Sequence, residues 1–167
     1  MSWSEAHRVR ALCASLCGLL LAACGFHLRG DVSYPPAMAT TYIDTTDRFS
    51  PFYRQLRAAL REGGIRVTDD AASASAVLRI VSDDTSQRVL SVSTRNTPRE
   101  YEVYYAVEYS LEMGEREAIP SQHLALRREY TYDETQQLGK AEEETNLQTA
   151  LATDLVGLVI RRLAAAK

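Results

Sequence analysis

Glu100 to Met113 reads EYEVYYAVEYSLEM, and this stretch decides the fold. Tyr101, Val103, Tyr105, Val107, Tyr109, Leu111 and Met113 recur at every second position, with Glu100, Glu102, Glu108 and Glu112 between them. Side chains on a strand alternate between two faces, so this period predicts a strand with one buried and one acidic face. On its N-terminal side, Ala76–Asp84 is mostly apolar and Gln87–Thr94 continues with Val89, Leu90 and Val92. The two read as one long strand bent near Asp83-Asp84. Asn96-Thr97-Pro98-Arg99 supplies the turn between the strands. On the C-terminal side, Gly114–Pro120 turns the chain, and His123–Tyr132 reads as the last strand, with Leu124, Leu126, Tyr130 and Tyr132 on one face.

Further out, Met38–Asp44 holds Thr40, Thr41, Tyr42 and Ile43, residues that favour strand. Ser50-Pro51 opens a helix, Ser as N-cap and Pro in the first turn. Phe52, Leu56, Ala59 and Leu60 fall on one face of it, Arg54, Arg57 and Arg61 largely on the other, and Gly63-Gly64 ends it. Ile65–Val67 adds a short extended piece and Asp69–Ser75 a loop of small residues. After a polar loop, Asp133–Lys140, a second helix spans Ala141–Leu163. Glu142, Glu143 and Glu144 suit its positive end, Arg161 and Arg162 its negative end, and Leu147, Leu151, Leu155, Leu158 and Val159 form its apolar stripe.

Each strand has one apolar face, and the two amphipathic helices are the elements able to cover it. The expected fold is therefore α+β, a two-layer sandwich of one mixed, mostly antiparallel sheet of about four strands with both helices on one face, in the order β-α-β-β-β-α. A right-handed first crossover makes the first strand parallel to its neighbour and the others antiparallel. The other sheet face is left open and charged.

The N-terminus carries a different message. His7, Arg8 and Arg10 form a basic start, Ala11–Leu21 is uncharged and apolar, and small residues precede Cys24. These are the parts of a secretory signal, here residues 1–23, and the apolar run is shorter than the roughly 20 residues that span a bilayer. Leu21-Ala22-Ala23-Cys24 resembles the lipobox of bacterial lipoproteins, in which the Cys thiol is alkylated with diacylglycerol and the chain is cut before it. Lipidation at Cys24 is the expectation, with 24–37 a lipidated tether and 38–167 one α+β domain. Each buried methylene contributes about 0.8 kcal/mol, so several acyl chains hold a protein where one does not. Gly25 after the Cys is the residue type that permits passage to the outer membrane.

The remaining composition narrows the function. Of three Cys, Cys13 and Cys17 leave with the signal and Cys24 is blocked, so neither a disulfide nor a thiol nucleophile is expected. The net charge of −3 lacks the basic excess of nucleic-acid binders. Nine Tyr against three Phe suit half-wet sheet surfaces. His27 and His123 stand apart from other metal-ligand types, and neither Asp83-Asp84 nor Glu142-Glu143-Glu144 has calcium-loop spacing. Catalytic residues, cofactors and metals are expected to be none.

Directly after the lipobox stands Cys24-Gly25-Phe26-His27-Leu28-Arg29-Gly30. This run resembles the mature start of the LptE family of lipopolysaccharide-assembly lipoproteins, and the order of elements matches that family over the mature chain. The resemblance implies an outer-membrane lipoprotein that plugs the lumen of the β-barrel LptD, supports its assembly and binds lipopolysaccharide. It also implies cations for the lipid A phosphates at Arg95 and Lys140, with Arg99 an added one. Asn96, Thr97 and Pro98 become the barrel-contact turn. Charge-assisted hydrogen bonds make Arg and Lys suitable phosphate partners. Two other readings stay open at this point. A lipoprotein bracing another envelope complex would have a partner unconnected with lipopolysaccharide. A lipid-anchored enzyme would need a buried carboxylate or His with a shifted pKa in a cleft.

Overall fold

The structure, a computed structural model, describes residues 33–131 and 139–166. Of the tether expected over 24–37, Cys24 and the residues up to 32 lie outside the described residues. The elements are β1 (Thr40–Asp44), α1 (Pro51–Glu62), β2 (Arg66–Thr68), β3 (Ala76–Val92), β4 (Pro98–Met113), β5 (Arg116–Thr131) and α2 (Gly139–Ala164). Short 3-10 turns occupy Pro36–Met38 and Ala71–Ser73. The strands form one sheet in the order β2-β1-β3-β4-β5. β1 runs parallel to β2 and β3, and the β3–β4 and β4–β5 pairs are antiparallel. The α+β sandwich expected from the sequence is present, with five strands where the sequence predicts about four. The fifth is β2, whose three residues gave too short a pattern to read as more than an extended piece.

The period of two in β4 is what builds the core. Val103, Tyr105, Val107, Tyr109 and Leu111 are all buried against the helices. α1 contributes Phe52, Leu56 and Leu60, and α2 contributes Leu151, Leu155, Val159 and Leu163. The helices also meet each other through polar contacts. The Gln55 amide donates to the Thr149 carbonyl at 3.3 Å, and the Thr153 hydroxyl donates to Gln55 Oε1 at 2.7 Å. The α1 ends form as read. Ser50 Oγ accepts from the Tyr53 amide at 3.0 Å. Gly64, at φ +84°, lets the chain reverse so that Ile65 N–H bonds the Leu60 carbonyl and Gly64 N–H bonds that of Arg61.

Several boundaries moved. β5 begins at Arg116, so the turn after β4 is Gly114-Glu115 alone, and Pro120 lies within an edge strand where its missing N–H is tolerated. Tyr132, read as the end of that strand, lies outside the described residues. α2 begins two residues before the expected Ala141, which brings Lys140 out of the loop and into the first helical turn. The bend expected at Asp83-Asp84 is instead a register shift between Ile80 and Ser82, with β3 continuous through it. The helix-free sheet face is charged, as expected, yet Glu102 and Ser110 on it are buried. Arg88 Nε meets Glu102 Oε1 at 2.8 Å, which compensates for placing a carboxylate there.

Candidate functional site

β3, β4 and β5 are each 16 or 17 residues long, so at about 3.3 Å per residue they run for about 50 Å. The turn joining β3 to β4 stands at one end of this ribbon. Ser93 organises it. Its N–H donates to the Thr97 carbonyl at 2.7 Å and its carbonyl accepts from Asn96 N–H at 2.9 Å. Its hydroxyl oxygen accepts from the amides of Arg95 and Thr97 at 3.3 and 3.2 Å. Asn96 adopts φ +61°, the left-handed conformation that Asn tolerates better than most residues and that closes a three-residue hairpin loop.

Arg95 and Asn96 are exposed at the tip, and Thr97 and Pro98 are half-buried. The turn proper is Thr94–Asn96, so the expected Asn96–Arg99 turn lies too far along the chain. Pro98 opens β4 and Arg99 is its second residue. Pro at a strand start leaves no ladder hydrogen bond unmade, which is why the strand begins there. Among the described residues neither Arg95 nor Arg99 has an ion-pair partner. Thr131, the last residue of β5, pairs with Glu100, so the chain leaves the sheet for α2 at the end that bears the turn. Lys140 lies in the first turn of α2 by its backbone, and its side chain is outside the described residues. The structure therefore joins Arg95, Asn96, Thr97, Pro98 and Arg99 in one segment, with Arg99 on the strand. A shallow hollow of about 170 Å³ lies beside it, lined by Glu100, Glu129, Tyr130 and Thr131. Two carboxylates make that hollow unsuited to an anion.

The sequence reading missed Asp83. β3 buries Ala76, Leu78 and Ile80, but the shift at Val81 reverses the alternation and turns Asp83 toward the helix layer. There Asp83 Oδ2 accepts from the Ser50 hydroxyl at 2.5 Å and Oδ1 from the Tyr105 hydroxyl at 2.7 Å. Burial raises the Asp83 pKa, the two hydroxyls lower it, and Asp47 and Asp84 add to the rise. Tyr105 is also pushed up, first by burial and then by Asp83. Both carboxylate oxygens are occupied and the group braces the start of α1, which is a structural task rather than proton transfer. Among the described residues no set of His, Cys, Asp and Glu could hold a metal ion.

This node makes stability depend on pH in a defined direction. A carboxyl whose folded pKa lies above its unfolded value of 3.8 binds protons more readily when folded. Its ionisation costs stability at neutral pH, and the cost is relieved as pH falls through the folded pKa toward 3.8. Wild type should therefore gain on Asp83→Asn between pH 7 and pH 4 in urea unfolding. A pH-independent difference, or wild type losing ground, would remove Asp83 from this role.

Against this geometry, residues 38–163 match the LptE family, described as lipopolysaccharide-assembly. Two proteins named LPS-assembly lipoprotein LptE are similar in sequence. That of Pectobacterium atrosepticum is 29% identical over 115 residues, 68% of this chain and 62% of the relative. That of Yersinia enterocolitica is 29% identical over 103 residues, 61% of this chain and 50% of the relative. The aligned part is thus about half to three fifths of these relatives' length. Among solved structures, lipoprotein B of Nitrosomonas europaea superimposes with a TM-score of 0.67 at 28% identity, over 84% of this chain and 91% of that one. The rare lipoprotein B of Shewanella oneidensis shares the fold with a TM-score of 0.66 at 23% identity, over 75% and 94%. The family match runs from just before β1 to near the end of α2, through the turn that carries Arg95, and on that extent the chain belongs to the LptE family.

Proposed function

We propose that this protein is a lipopolysaccharide-assembly lipoprotein, held to the outer membrane by acyl chains on Cys24 and acting from the periplasmic side. Its folded domain occupies the lumen of a large β-barrel, the LptD partner implied by the family resemblance, and supports that barrel's assembly. Arg95 at the hairpin tip, with Lys140 and Arg99, takes the phosphates of lipid A. The function is one of binding and scaffolding rather than catalysis. The observation that carries this reading is the family match over residues 38–163. A water-filled lumen suits a plug with a polar outer surface, and the charged helix-free face supplies one. No helix among the described residues is long and apolar enough to cross a membrane.

Affinity capture of the tagged chain from outer membranes in mild detergent tests the partner. A large heat-modifiable barrel at equal stoichiometry is expected. A membrane-attached chain that brings down no barrel would sink the plug reading. Ligand binding is tested separately with Arg95→Asp combined with Lys140→Asp. Arg95 is exposed and Lys140 lies in the first turn of α2, so the fold should survive while lipopolysaccharide binding weakens. Each lost charge-assisted contact is worth about 1.5–3 kcal/mol, which predicts at least a tenfold weaker complex. Unchanged binding by a folded double variant would remove these residues from the site.

A further inference from the structure

β1 pairs with β3 only at Ala76–Arg79, so from Ile80 to Val92 the other edge of β3 carries no strand among the described residues. The exposed large hydrophobic side chains among those residues are Phe49, Val81, Val89, Leu90 and Val92. Four of them belong to this edge strand, in two groups, and Phe49 stands near one of these. Val81 and Phe49 are at the near end, since Ser50 beside Phe49 is bonded to Asp83. Val89, Leu90 and Val92 are at the far end. Between the groups stand Asp84, exposed and without an ion-pair partner among the described residues, and Arg88, 65% exposed in its side chain. Long open edges present a row of unpaired N–H and C=O groups that another strand satisfies.

We propose that this edge pairs antiparallel with the same edge of a second copy of the chain, about a twofold axis through Ser86. Three features of the edge are self-complementary in that register. Asp84 of each copy comes opposite Arg88 of the other, on the helix-free face, and the ion pair forms twice. Arg88 already holds Glu102 at 2.8 Å, and a guanidinium has donors for both carboxylates. Val89 comes opposite Asp83, and just beyond it the end of the edge that bears Val81 lies at the end of the other copy that bears Leu90 and Val92. The register breaks of β3, at Val81 and Leu90, fall outside the regular stretch between them. An even register also keeps the helices of both copies on one side of a continuous sheet. The pairing concerns the chain outside any barrel and stands apart from the lipopolysaccharide reading.

Cysteine cross-linking of the purified full chain, free of any barrel, tests the register. In the proposed pairing Ser86 faces itself, and directly opposed Cβ atoms lie about 4.5–5.5 Å apart, near enough to bridge after small adjustment. Ser86→Cys should give a reducible dimer on mild oxidation, above the background of the parent chain with Cys13, Cys17 and Cys24. Ser82→Cys would stand about 26 Å from its counterpart, eight residues along the strand, and should give none. Asp84→Arg, an exposed change with little effect on folding, should lower the Ser86→Cys dimer at least several-fold by placing like charges together twice. No dimer at position 86, equal dimer at 82 and 86, or a dimer indifferent to Asp84→Arg would each overturn the proposal.

Discussion

Phe52→Ala is expected to cost about 3–5 kcal/mol of stability, the range for a fully buried aromatic truncated in a core that cannot collapse around it. Phe52 is 0% exposed and stands in the first turn of α1, packed with the β4 side chains that carry the period of two. The loss compares with about 5–15 kcal/mol for a whole domain, so much of the stability goes with one side chain. For a domain of this size it corresponds to a fall in Tm of roughly 10–20 °C. Arg54→Ala, two residues on and exposed, should move stability by no more than about 0.5 kcal/mol. Thermal unfolding of both variants separates burial from helix propensity, because both changes put Ala, the best helix former, on the same helix. Equal and small losses would mean that α1 is not pinned to the sheet by Phe52.

That contrast is legible in the sequence, because periodicity reports which face is buried. The 3.6-residue spacing of Phe52, Leu56 and Leu60 and the two-residue spacing in β4 each assign residues to a core side, and the core is built from those sides. The order of elements then limits the topology through handedness and layer rules. What escaped was whatever breaks a period. The shift at Val81 exchanges the faces of β3, and no residue type there announces it. Asp83 therefore read as part of a bend, although it bonds Ser50 and Tyr105 from within the sheet. β2 was too short to show a pattern, and β5 runs through a Pro that usually ends a strand. The candidate site was legible for a different reason. Arg95 and Lys140 carry no signal of their own, since exposed cations in connecting segments are commonplace, and only the family resemblance singled them out. The hydrogen bonds of Ser93 and the left-handed Asn96 now give that tip a defined shape.

Cys24→Ala should abolish acylation altogether. The argument is chemical. The thiol of Cys24 is the group to be alkylated in the lipobox reading of Leu21-Ala22-Ala23-Cys24, and Ala has no atom to replace it. Metabolic labelling with a radioactive fatty acid should mark the parent chain and leave the variant unlabelled. Two further outcomes follow from the order of the reactions. Cleavage before residue 24 waits on the lipid, so the variant should keep residues 1–23 and migrate as the heavier form. A plain secreted protein with a fortuitous Cys would instead be cut regardless and carry no label in either form. Anchoring divides the readings again, because several acyl chains at about 0.8 kcal/mol per methylene resist salt and alkaline washes that strip a peripheral protein. The parent should stay in the washed outer-membrane fraction. A parent chain that takes up no label, or washes off, would remove the anchor from the proposed function while leaving the family assignment and the fold of residues 38–163 as they stand.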